Sequence, residues 1–103
     1  MMTNPILENV EFDDDGFMAD PNAWSAEIGE AIAAREELPL TDRHWVVINF
    51  ARQEFEANDE APTLRRITKT TDVDTKELYK LFPGGPAKKA AMVAGLGKPT
   101  GCI

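Results

Sequence analysis

At 103 residues, with 43% hydrophobic and 28% charged side chains, the chain is sized and composed for one globular domain with one modest core, and no apolar run approaches the roughly 20 residues of a membrane span. The net charge of −7 is uneven: residues 1–61 carry three basic and fifteen acidic groups, net −12, whereas residues 62–103 carry eight basic and three acidic groups, net +5. A single cysteine, Cys102, excludes an internal disulfide and a multi-cysteine zinc site, and residues 1–15 lack the basic-then-apolar order of a secretory signal, so a reducing cytoplasm is the expected compartment.

Ile6 to Phe12 is rich in β-branched and aromatic residues, and the pair Asp15-Gly16 is a turn signal leading into Phe17-Met18. Together they predict a β-hairpin or small meander over residues 4–19, which must lie on helices to be stable. Pro21-Asn22 opens a helix to about Glu36, with Trp24, Ile28, Ala31 and Ile32 on one apolar stripe, and Leu38-Pro39-Leu40 breaks it. Thr41 suits the N-cap of a second helix, in which Trp45, Ile48 and Phe55 recur on one face and Asn58-Asp59 close the run. Pro62 or Thr63 starts a short third helix with Leu64 and Ile67 inward, and Asp72 to Thr75 forms a capping turn into a fourth, with Leu78, Leu81 and Phe82 inward. Pro83-Gly84-Gly85-Pro86 forces a break, Pro86 suits the first turn of a fifth helix, and Gly95 stops it. Beyond lies LGKPTGCI, aperiodic and glycine-rich, which reads as a flexible arm. The fold expected is α+β: a β-hairpin over 4–19, a helical body of about five helices over 21–94, and an arm over 95–103 carrying Cys102.

Few residues are chemically pointed. Cys102 is a chance surface thiol on the bland reading. Against that stand its place on an arm that can travel, the oxidation liability of an exposed tail thiol, and a basic C-terminal part, Lys98 nearest, that favours a thiolate. Its position second from the end also excludes a prenylation signal. His44, the only histidine, reads as a structural or surface group, since nothing in the chain announces a cysteine–histidine hydrolase with its oxyanion hole. Thr63 to Phe82 has the outline of a helix-turn-helix with Lys76, Tyr79 and Lys80 outward, but Asp72, Asp74 and Glu77 would repel phosphates there, and direct nucleic-acid binding is not expected. Asp13-Asp14-Asp15 lacks the spacing of a calcium loop, so no metal and no cofactor is expected.

LYKLFPGGPAKKAAMVAGLGKPTGCI resembles the C-terminal signature of the DsrC/TusE/DsvC family: a Leu-Tyr-x-Leu-Phe-Pro-x-Gly-Pro-Ala-Lys block, then an Ala-Gly-Leu-x-Lys-Pro arm with a penultimate cysteine. HWVVINFAR, EAPTLRRITK and DDDGFMADPNAW are similar to upstream elements of the same family, so the likeness spans nearly the whole chain. The resemblance implies a sulfurtransferase-type carrier rather than a stand-alone catalyst, taking persulfide sulfur on Cys102 from a donor protein and handing it to an acceptor protein, with no membrane partner. It makes Arg65 and Lys88, with Lys98, candidates to line the arm's docking groove or stabilise the thiolate, helix-surface solvation being the alternative for Arg65 and Lys88. Pro99 and Gly101 would shape the arm, one restricting it and one letting it bend.

Family members linked to sulfite reductase have a second cysteine eleven places earlier, which here is Ala91, and a longer loop than Thr70 to Thr75. Both departures point to the single-cysteine, TusE-like branch, whose relay ends in 2-thiouridine at the tRNA wobble position through a tRNA thiolase. The alternatives are a DsrC-like carrier in dissimilatory sulfur metabolism, serving sulfite reductase or sulfur oxidation, a regulatory DNA-binding relative, and a redox switch through an intermolecular Cys102 disulfide.

Overall fold

A computed structural model describes residues 7, 8 and 10–97. Among these, a 3-10 turn (Pro21–Ala23) precedes five α-helices: α1 (Ala26–Arg35), α2 (Asp42–Asn58), α3 (Leu64–Thr70), α4 (Thr75–Leu81) and α5 (Pro86–Val93).

Residues 4–6 and 9 of the expected hairpin lie outside the described residues, and the described remainder forms no strands, so the α+β assignment gives way to a helical fold. Among the described residues the only β pairing is one isolated antiparallel bridge, Phe12 to Met18. The reason is local. Two backbone bonds cross the reversal, Asp13 N–H to Phe17 O (2.8 Å) and Ala19 N–H to Glu11 O (2.9 Å). But the Asp13 carboxylate accepts the N–H groups of Asp15 (2.9 Å) and Phe17 (3.0 Å) while Asp13 O takes the Gly16 N–H (3.0 Å), so the return bond of a ladder is not made. Gly16, at φ +89°, completes the turn. Phe17 and Met18 are then consecutive and both buried, whereas a strand with one wet face would turn one of them to solvent. Arg35 holds this loop on α1, its Nη2 donating to Gly16 O (2.9 Å) and its guanidinium lying 4.7 Å from the Phe12 ring centre.

The first helix also starts later than the apolar periodicity suggests. Asp20 caps the 3-10 turn, Trp24 is extended (φ −72°, ψ 146°), and Ser25 caps α1 by accepting the Ile28 N–H. Trp24 therefore leaves the helical stripe and is free to pack elsewhere. The remaining boundaries follow their capping residues: Thr63 Oγ1 accepts the Arg66 N–H, Asp74 Oδ1 accepts the Glu77 N–H, and Pro86 opens α5.

The core is built on α5, which packs against α1, α2 and α4. Its Ala87, Ala90 and Ala91 are buried, and small side chains let those neighbours approach closely. Around it Phe17, Ile32, Val47, Ile48, Ile67, Leu78, Phe82, Val93 and Leu96 are fully enclosed, each large side chain contributing about 1.5–3 kcal/mol by leaving water.

Candidate functional site

The sequence-predicted arm residues Lys98, Pro99, Gly101 and Cys102 lie outside the described residues. The structure does define the base from which they depart. Helix α5 ends with Ala94 as its C-cap and Gly95 in the left-handed region at φ +75°. The Gly95 N–H donates to Met92 O (3.1 Å) and the Leu96 N–H to Ala91 O (2.9 Å), the paired bonds of a Schellman motif. Leu96, which follows the left-handed glycine, is fully buried in the core.

Two carbonyls at this helix end, Val93 O and Ala94 O, take no part in those bonds, and each is filled from a distance. Trp24 Nε1 donates to Val93 O (2.9 Å), and Arg52 Nη1 donates to Ala94 O (3.1 Å) and also to Pro21 O (3.1 Å). The Arg52 guanidinium lies over the Trp24 ring at 4.6 Å from its centre. Its partners are carbonyls and a π face rather than a carboxylate, and burial lowers its pKa against a weaker opposing pull from Glu56. The Trp24 ring occupies the space beside two glycines: a Cβ on Gly95 would sit 2.1 Å from its Cδ1, and one on Gly29 2.8 Å from its Cζ2.

Neither Trp24 nor Arg52 emerges as a site residue from the sequence. A signal was present for Arg52, which falls in register with Trp45, Ile48 and Phe55, an arginine set into an apolar stripe. Nothing comparable marks Trp24, because its helical spacing is fortuitous.

Arg65 is exposed on α3, which packs on α2, and Lys88 is half-buried in the first turn of α5. Among the described residues neither side chain has a hydrogen bond or an ion pair, with each other or with anything else. Lys88 stands where the α5 dipole is positive, in a first turn holding no acidic residue and behind a glycine N-cap that offers no side-chain acceptor. Its neighbour Lys89 is neutralised by Glu36 (2.8 Å), and that hydrogen bond is the main reason the Glu36 carboxyl is held below its usual pKa, with Arg35 adding to it.

The uneven charge of the chain is partly cancelled by such pairs. Arg66 bonds Glu54 (2.8 Å), while Arg43 grips Glu77 through two nitrogens (2.7 Å each) and Asp72 through a third contact (3.0 Å). Arg43 thereby holds both carboxyls below their usual pKa and takes two of the three acids of the basic segment out of play. Lys69, Lys76 and Tyr79 remain exposed on α3 and α4.

His44 is a structural group. The Thr41 N–H donates to Nδ1 (3.0 Å), closing the capping box of α2, so the other nitrogen carries the proton and Nε2 donates to Leu81 O (2.8 Å). Edge-on contact with Phe82 completes its burial and ties the start of α2 to the end of α4.

Comparison with known proteins finds relatives over nearly the whole chain. The family described as DsrC like protein matches residues 7–103. Sulfurtransferase TusE of Buchnera aphidicola subsp. Schizaphis graminum is 35% identical over 108 residues, covering 98% of this chain and 95% of the relative. Its counterpart in Pectobacterium atrosepticum is 37% identical over 98 residues, covering 88% and 90%. Among solved structures, Allochromatium vinosum DsrC superposes with a TM-score of 0.80 at 39% identity, covering 91% of this chain and 90% of that one. The oxidized gamma-subunit of the dissimilatory sulfite reductase (DsrC) from Archaeoglobus fulgidus does so with a TM-score of 0.81 at 38% identity, covering 91% and 92%.

Proposed function

This chain belongs to the DsrC-like family, and from that premise we propose that it is a sulfur carrier of the TusE kind, loading and unloading persulfide sulfur on Cys102. The carrying observation is that the family match runs through residue 103 and so includes the arm and its lone thiol. In the loading step the Cys102 thiolate attacks the outer sulfur of a donor persulfide. A new S–S bond forms, the donor's S–S bond breaks, and the donor leaves as a thiolate that takes up a proton. In the unloading step an acceptor nucleophile takes the outer sulfur and Cys102 returns as thiolate. Neither step needs an external oxidant or reductant.

The chain serves a relay between a sulfur-donor protein and a sulfur-acceptor protein in the cytoplasm, where a lone thiol stays reduced. The finer assignment is a step toward 2-thiolation of the tRNA wobble uridine. Ala91 supports it over the sulfite-reductase branch: that position is a buried alanine of α5, so Cys102 has no second thiol in this chain to pair with. The competing reading, a carrier in dissimilatory sulfur metabolism, draws on the DsrC structures, whose identities of 38–39% are slightly above the 35% and 37% of the two TusE relatives. Arg65, Lys88 and Lys98 are the cations proposed to attend the arm, with Pro99 and Gly101 shaping it.

Incubation of the intact protein with glutathione persulfide is expected to add one sulfur, about 32 Da, and Cys102→Ser to abolish the gain. An unchanged mass in the wild type, with a donor shown active on another thiol, would overturn the carrier role. Loss of tRNA 2-thiouridine in a deletion strain, restored by the wild type and not by Cys102→Ser, separates the thiolation reading from its rival.

A further inference from the structure

An α-helix leaves its last carbonyls without intrahelical partners, and at an ordinary surface helix water takes them. The end of α5 is built differently. The backbone turn at Gly95 and Leu96 satisfies Ala91 O and Met92 O, and Ala90 O receives the Ala94 N–H. The two acceptors left over are claimed by side chains 69 and 42 residues away in sequence, Trp24 and Arg52. Every carbonyl from Ala90 to Ala94 thus has a defined donor, and two of those donors belong to other elements.

The donors are themselves held. Arg52 ties α2, the 3-10 turn and the end of α5 together with one guanidinium, and it stacks on the indole that makes the other bond. The indole is seated against Gly29 and Gly95, where no larger residue would leave it room. A cation facing a helix C-terminus is electrostatically favoured. Desolvating a guanidinium whose hydrogen-bond partners are carbonyls is costly, and what that cost secures is the fixing of Pro21 O and Ala94 O, and with them the end of α5, to α2.

We infer that Trp24 and Arg52 are positioning residues for Cys102: they form a fixed pivot that sets the direction in which the chain leaves the body after Leu96. Cys102 lies six residues beyond Leu96, a reach of about 20 Å at full extension. A thiol on a tether of that length sweeps a large volume if its root can turn, and a limited sector if the root is locked. The local concentration of the sulfur at a partner's site follows from that sector. The inference rests on the carrier reading for its purpose and not for its geometry.

The lone cysteine permits an unambiguous test. A methanethiosulfonate nitroxide attached to Cys102 broadens amide signals of the body wherever the arm brings it near, referenced to the same sample after reduction of the label with ascorbate. The expected result is broadening confined to one contiguous face in the wild type. In Arg52→Gln, whose shorter amide lacks the charge and reach of the guanidinium, and in Trp24→Phe, which removes the donor to Val93 O, the broadening should spread over the body while the amide dispersion of α2 to α4 is kept. Arg52→Lys, which retains the charge and a donor, should preserve the one-sided pattern.

A purely structural clamp would lower the unfolding midpoint of the variants and leave the broadening pattern where it was; that result overturns the inference. So does diffuse broadening in the wild type. Should Trp24→Phe fail to fold, the comparison of Arg52→Gln with Arg52→Lys decides alone. One-sided broadening without sulfur uptake from glutathione persulfide would refute the carrier and leave the pivot. Sulfur uptake with diffuse broadening would do the reverse.

Discussion

The two ends of α5 are finished in opposite ways. At the N-terminal end Gly85 is the cap, no side chain among the described residues caps the N–H groups, and two lysines occupy a turn where the helix dipole disfavours them. At the C-terminal end all carbonyls from Ala90 to Ala94 are matched, partly by Trp24 and Arg52. The helix thus has its acceptors filled at the end that leads toward Cys102, and keeps at the other a cation, Lys88, whose side chain has no partner among the described residues. Stability alone would favour the reverse at the N-terminus, where an acidic residue is worth a few tenths of a kcal/mol to about 1 kcal/mol. The contrast is what a protein built to hold one segment and present another would show.

The sharpest way to break the contrast is Gly95→Ala. The added methyl meets the Trp24 ring at 2.1 Å and forces alanine to φ +75°. Overpacking and left-handed strain together should cost about 2–5 kcal/mol, measured by urea unfolding. In a Trp24→Ala background the same change should cost less than in the wild type, because the clash is gone while the strain stays. Equal costs in both backgrounds would show that the ring does not define this end.

A smaller effect is expected at the opposite end. Lys88→Glu should raise stability by about 0.3–1 kcal/mol through the helix dipole, while slowing the one-sulfur mass gain on Cys102 from glutathione persulfide. Unchanged loading would assign Lys88 to solvation of the helix surface.

The smallest effect concerns Glu36, which holds Lys89 beside it. Its folded-state pKa lies below 4.5 because of Lys89 and then Arg35. The stability it contributes is therefore complete above the unfolded value and is lost as pH falls through the folded one. Glu36→Gln should make the acid limb of a stability profile shallower below pH 4.5, with little change near neutrality. An unaltered slope would mean the pair is open to solvent and carries no stabilisation.

The helices could be read from the chain because their signals are local. Thr63, Asp74, Pro86 and Gly95 each act on backbone groups within a few residues, so sequence spacing locates them. The hairpin misled for the same reason turned around: Asp15-Gly16 does mark a reversal, but the Asp13 carboxylate competes for the donors a ladder would use. Trp24 misled because a periodic position says nothing of whether the helix has begun.

The sequence by itself determined that there are about five helices, where the last four begin, and the family signature with its lone thiol, since each depends on neighbours in the chain or on residue identity. Only the tertiary structure decided that Trp24 and Arg52 close the end of α5, that His44 staples α2 to α4, and that Arg43 neutralises Asp72 and Glu77. Those pairings join residues 29 to 69 positions apart, and a hydrogen bond across such a distance exists only once the core has packed and brought donor and acceptor within reach.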